Sequence, residues 1–84
     1  MLRIKPLRED LIQYLKKHNL TDKFYKAKAL FENNPLYPSL HVELLEPKHR
    51  FIYSFRIDRK YRALFIYTEE NEIEIIAFTN HYKL

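Results

Sequence analysis

Tyr53-Ser54-Phe55-Arg56-Ile57-Asp58-Arg59-Lys60-Tyr61-Arg62-Ala63-Leu64-Phe65-Ile66-Tyr67 reads as two runs rich in aromatic and branched residues around a polar break. Such runs favour β-strands, and the break Asp58-Arg59-Lys60 favours a turn. The strands are expected over residues 50–57 and 61–68, with a third over 72–79 after the polar pair Glu70-Asn71. Connections this short join antiparallel neighbours, so the second half is a meander. Register follows from the turns. If Asp58–Lys60 is a three-residue loop, Ile57 faces Tyr61 and Arg56 faces Arg62. If Glu70-Asn71 is a two-residue turn, Arg62 lies opposite Thr79, and His81 points to the same face.

Upstream of this meander, Leu40, Val42 and Leu44 alternate with His41, Glu43 and Leu45, which predicts a further strand. The basic turn Lys48-His49-Arg50 follows it. Earlier still the rhythm is helical. Leu7, Leu11, Ile12 and Leu15 share one face over residues 7–18, and Phe24, Ala27, Leu30 and Phe31 share another until Asn33-Asn34-Pro35 stops the helix. His18-Asn19 separates the two helices. Thr21 is expected as the second N-cap, with Leu20 packing on Tyr25. Leu2 and Ile4 form a brief first strand that Pro6 closes. The expected architecture is α+β: a short N-terminal strand and a helical hairpin packed on an antiparallel meander, all one domain over residues 1–84.

Composition narrows the function classes. A chain of 84 residues builds one modest core, burying roughly 60–65% of its unfolded surface. Fifteen Lys and Arg against eleven Asp and Glu give a net charge of +4, which favours an acidic partner such as RNA, DNA or an acidic peptide. The absence of Cys excludes disulfides and thiolate zinc sites. The absence of Gly removes the P-loop and the dinucleotide fingerprint, so no nucleotide cofactor is expected. The N-terminus lacks a secretory hydrophobic region and no apolar run nears the length of about 18 residues that a membrane helix needs, so a cytoplasmic protein is expected.

The order strand, helix, helix and antiparallel strands, with an Arg in each arm of a hairpin and a terminal His-Tyr, resembles the RelE/ParE toxin superfamily. Ser54-Phe55-Arg56-Ile57, a short turn, then Arg62-Ala63-Leu64-Phe65, together with His81-Tyr82, is most similar to its YoeB-like branch. Asn34-Pro35 before Leu40 looks like that superfamily's link from the second helix to the next strand. The resemblance covers most of the chain. It implies the toxin of a type II toxin–antitoxin module: an endoribonuclease that enters the ribosomal A site and cuts mRNA, with a cognate antitoxin, mRNA and the ribosome as partners.

The residues suit that chemistry. Metal-independent RNA cleavage proceeds by attack of the ribose 2′-OH on phosphorus, so it needs a base, an anion stabiliser and an acid. Arg62, with Arg56 in support, suits the non-bridging oxygens. His81, with an ordinary pKa near ~6.5, suits the general acid. Tyr82 suits base stacking or a hydrogen bond to phosphate. In the YoeB-like branch a Glu just before the second strand supplies the base. Here that region reads Leu36-Tyr37-Pro38-Ser39, which leaves Glu43 or His41. Lys48, His49 and Arg50 are candidate RNA-backbone contacts. Three blander readings stand beside these: Arg56 and Arg62 as solvated partners of Glu43 or Glu74, a ParE-like inhibitor of DNA gyrase, or a catalytically weak module that only binds an antitoxin.

Overall fold

In the computed structural model, which describes residues 2–80, a five-stranded sheet is covered on one face by two helices. The order along the chain is β1 (Arg3–Ile4), α1 (Glu9–Lys17), α2 (Thr21–Asn33), β2 (Glu43–Leu44), β3 (Tyr53–Arg56), β4 (Arg62–Glu69) and β5 (Glu72–Thr79). Across the sheet the strands run β1-β5-β4-β3-β2. The meander β2–β5 is antiparallel, as its short turns require, whereas β1 pairs parallel with β5. The sheet is therefore mixed, and its first and last strands in sequence are neighbours.

The core forms where the two periodicities meet. Leu11 and Leu15 of α1 and Phe24, Ala27 and Phe31 of α2 are buried against Phe55, Ala63, Phe65, Ile73, Ile75 and Phe78 of the strands. Phe31 stacks on Phe55 with ring centroids 4.9 Å apart and meets Phe65 edge-on at 5.2 Å. Burial of each such ring contributes about 1.5–3 kcal/mol. At α1, Glu9 and Asp10 in the first turn and Lys16 and Lys17 in the last complement the helix dipole.

Three local expectations are corrected. The first helix begins at Glu9 instead of residue 7. Thr21 lies inside the second helix; the cap position falls to Leu20, which makes no side-chain cap bond. Leu20 is buried in the core while Tyr25 is exposed, so Leu20 contributes more by burial than by a surface staple. The expected strand over 40–45 shrinks to Glu43–Leu44, because Pro38–Leu40 is a single 3-10 turn and His41 adopts the left-handed conformation at φ 44°. Leu40 is buried because that turn drops it into the core, and period two mistook it for the first rung of a strand.

Side chains tie the sheet edge and the hairpin tip to the helices. The Arg3 and Lys5 amides donate to Asn71 and Ile73 of the β5 side, leaving the Ile4 amide facing outward; it donates to Glu32 Oε2 of α2 at 2.8 Å. This carboxylate covers a donor that an edge strand would otherwise offer to a foreign strand. At the other end, the Tyr61 hydroxyl and His18 Nδ1 are hydrogen-bonded at 3.3 Å, with the His18 ring packed on Tyr14.

Candidate functional site

The turn between β3 and β4 sets the site's geometry. Asp58 Oδ1 accepts the amides of Lys60 at 2.9 Å and Tyr61 at 2.8 Å, and the Ile57 amide donates to the Tyr61 carbonyl at 2.9 Å. An Asp side chain that bonds its own backbone two and three residues on closes the loop at three residues. Burial alone would raise the Asp58 carboxyl, but the Tyr61 and Lys60 amides and the Lys23 ammonium at 3.0 Å outweigh it and hold the group below the usual carboxylate range. The register is then as the sequence predicts: Arg56 opposite Arg62, and Arg62 opposite Thr79. Directly paired residues share a sheet face. Both arginines therefore share the outer face of the sheet, opposite the core residues Phe55 and Ala63.

Arg62 is held in place by neighbours of fixed geometry. Its Nε donates to Ser54 Oγ at 2.9 Å, and its Nη2 donates to the His41 carbonyl at 2.5 Å. Ser54 is 1% exposed although it lies on the outer face, opposite the core residue Phe55. The sequence motif contains Ser54, but periodicity gave it no role. A Ser two positions before a strand Arg, on the same face, was the available signal. Glu43 pairs directly with Ser54 across β2 and β3, so its carboxylate belongs to the same face, in the row beside the Arg62 anchor. His41 differs. It precedes the strand, and the structure shows it acting on Arg62 through its backbone carbonyl.

Arg56 belongs to a second feature as well. A groove between α2 and the hairpin tip is lined by Lys23, Lys26, Arg56, Arg59 and Lys60 over a floor that includes Leu40. Asp58 is its one acidic residue. Sequence reading passed over Lys23 and Lys26, although their i, i+3 spacing places them on one helix face. Lys48, His49 and Arg50 form an exposed 3-10 turn at the far end of β3, so this basic turn and the Arg56–Arg62 pair occupy opposite ends of that strand. The strand expected from residue 50 begins at Tyr53. His81 and Tyr82 lie outside the described residues. Among the described residues no cluster of His, Asp or Glu is placed to hold a metal ion, and no helix is long and apolar enough to cross a membrane.

No model of a protein family matches the chain. An uncharacterized protein of Haemophilus influenzae is 43% identical over 44 residues, a match that spans 52% of this chain and 43% of that protein. Among solved structures, a chain of the YoeB-YefM complex from Staphylococcus aureus superposes with a TM-score of 0.68 at 22% identity, covering 98% of this chain and 99% of that one. A heterotetrameric YoeB-YefM toxin-antitoxin complex from the same organism gives 0.67 at 20% identity, with the same coverage. The YoeB/ParE toxin from Agrobacterium tumefaciens gives 0.69 at 17% identity, covering 96% and 98% of the two chains. With nearly complete coverage in both directions, this chain has the fold of these YoeB and YoeB/ParE structures.

Proposed function

We propose that the chain is the toxin of a type II toxin–antitoxin pair and acts as a ribosome-dependent mRNA endoribonuclease. One observation carries the reading: Arg62, pinned by Ser54 and the His41 carbonyl, stands opposite Arg56 on an open sheet face that also bears Glu43. Like charges directly opposite cost roughly 0.2–1 kcal/mol relative to a neutral pair. A bridging phosphate turns that cost into a gain, and planar guanidinium groups match its oxygens.

In the proposed reaction Glu43 takes the proton of the ribose 2′-OH, whose oxygen attacks the adjacent phosphorus. Arg62 and Arg56 stabilise the charge that develops on the non-bridging oxygens. The bond from phosphorus to the 5′-oxygen breaks, and His81 gives that oxygen its proton. Products are a 2′,3′-cyclic phosphate and a free 5′-hydroxyl. Tyr82 takes the stacking or phosphate hydrogen-bonding role in this reading, and Lys48, His49 and Arg50 contact RNA backbone at a distance from the reacting phosphate. Of the two candidate bases Glu43 is preferred, since the contact that His41 makes with Arg62 comes from its carbonyl. An antitoxin with acidic residues meets the basic face and competes with RNA.

The name of the Agrobacterium neighbour, YoeB/ParE, also supports a second, binding-only reading in which the chain inhibits gyrase. One experiment separates the two. Wild type, Arg62→Ala and His81→Ala are induced in cells, mRNA 5′ ends are mapped and gyrase supercoiling is assayed. New 5′ ends that disappear in both variants are expected, each losing about 100-fold or more in cleavage. Loss of supercoiling with intact mRNA would contradict the nuclease.

A further inference from the structure

The end of the sheet remote from Arg62 carries aromatic rings that the core does not consume. Phe51 is 63% exposed and Tyr67 is 45% exposed. With Arg50, Tyr53 and Ile66 they line a shallow concavity beside the Lys48–Arg50 turn. Tyr53 meets Tyr67 edge to face with centroids 5.3 Å apart, and Tyr53 also stacks on buried Phe65 at 5.5 Å. The two tyrosines are thus propped from behind by the core. Phe51 has φ 53° and ψ 43°, and its amide donates to the Lys48 carbonyl at 3.0 Å. A bulky residue in the left-handed region is an outlier, and such outliers concentrate at ligand sites. Here the ring gains no burial in exchange.

The surroundings indicate what the rings receive. Lys48, His49 and Arg50 are all exposed on the adjoining turn, and Arg50 lines the concavity itself. Ring faces take nucleobases whatever their sequence, and neighbouring cations take the phosphates between them. A protein partner would find a narrow apolar patch rimmed by three basic residues, a poorer match. We propose that Phe51, Tyr53 and Tyr67 form a base-stacking subsite for single-stranded RNA, with Arg50 and Lys48 holding its backbone. The subsite rests on the RNA reading above and extends it away from the reacting phosphate. Tyr53 and Arg56 are three positions apart on β3, roughly 10 Å, and odd spacing puts them on opposite faces. The RNA therefore passes around β2, the short strand at this edge.

The test uses a short fluorescein-labelled 2′-O-methyl RNA and a length-matched abasic oligonucleotide, with binding followed by fluorescence anisotropy. Phe51→Asn is the informative variant, because Asn tolerates the left-handed conformation and removes the ring. Phe51→Asn and Tyr67→Leu are each expected to weaken the base-bearing probe about 5-fold or more, leaving the abasic probe and the salt dependence as in wild type. Lys48→Ala should weaken both probes alike and reduce the salt slope by about one. Circular dichroism melting checks that Phe51→Asn is at least as stable as wild type. Wild-type affinity of both ring variants for the base-bearing probe overturns the proposal. So does loss of self-association on sedimentation with RNA binding unmoved, which would make the patch a protein-docking surface. Since the methylated probe has no free 2′-OH, failure here is distinct from failure of the cleavage reading, which Arg62→Ala addresses.

Discussion

The β3–β4 hairpin and the segment from Asn34 to Ile52 both contribute to the outer face, yet they are built on different principles. In the hairpin each residue's place follows from its neighbours: Asp58 closes the loop, the loop fixes the register, and the register sets Arg56 against Arg62. In the segment, two 3-10 turns and two left-handed residues, His41 and Phe51, leave only a two-residue strand. Leu40 is its one buried side chain. A site made from both combines side chains in fixed register from the first with irregular backbone from the second. The contrast also places the weak point of the fold, since Leu40 is the one fully buried anchor of the segment, supported by half-buried Val42 and the short β2–β3 pairing.

The largest expected effect breaks that anchor. Leu40→Ala should cost about 2–5 kcal/mol, measured by urea unfolding, and should also lower activity through the displaced His41 carbonyl. An unfolding free energy unchanged within error would mean that the segment is held elsewhere. On the hairpin side, Asp58→Ala removes a charged acceptor of two amides and should cost about 1.5–3 kcal/mol, with Asp58→Asn intermediate. The pH dependence has a definite sign. Because the folded Asp58 carboxyl titrates below its unfolded value of ~3.9, its contribution is complete above that value and is lost as pH falls through the folded one. The stability gap between wild type and Asp58→Ala should therefore be constant near neutrality and close only in acid. A gap that narrows above pH 5 would contradict the assignment.

Smaller effects sharpen the comparison at the point where the two regions touch. Ser54→Ala keeps the fold but releases one arm of Arg62, and should slow cleavage about 10-fold. His41→Ala keeps the backbone carbonyl that Arg62 uses and should stay within about twofold of wild type. A loss of 100-fold there would instead make His41 the base.

Legibility in the sequence follows the same division. The hairpins were readable because alternation and turn chemistry act over a few residues: β5 runs from Glu72 to Thr79, Arg56 pairs with Arg62 as the three-residue loop dictates, and Arg62 meets Thr79 because two register shifts between β4 and β5 cancel. The segment around Leu40 was misread because a buried Leu has the same appearance in a strand and in a 3-10 turn, and tertiary burial alone separates them. The parallel pairing of β1 with β5 joins residues about seventy positions apart, beyond any local signal. At the candidate site, the pairing of the two arginines was legible from register. Ser54 as the anchor of Arg62 emerged from the β3–β4 pairing, and the basic groove with Lys23 and Lys26 and the exposed ring of Phe51 from the assembled fold.

The central claim is that the outer face cleaves RNA through Arg62. Single-turnover cleavage of an mRNA on programmed ribosomes, with wild type and Arg62→Ala each at saturating concentration, tests it most directly. The account predicts that Arg62→Ala lowers the rate constant about 100-fold or more while saturating over the same concentration range. An unchanged rate constant, with the variant differing only in the concentration needed to saturate, would contradict it.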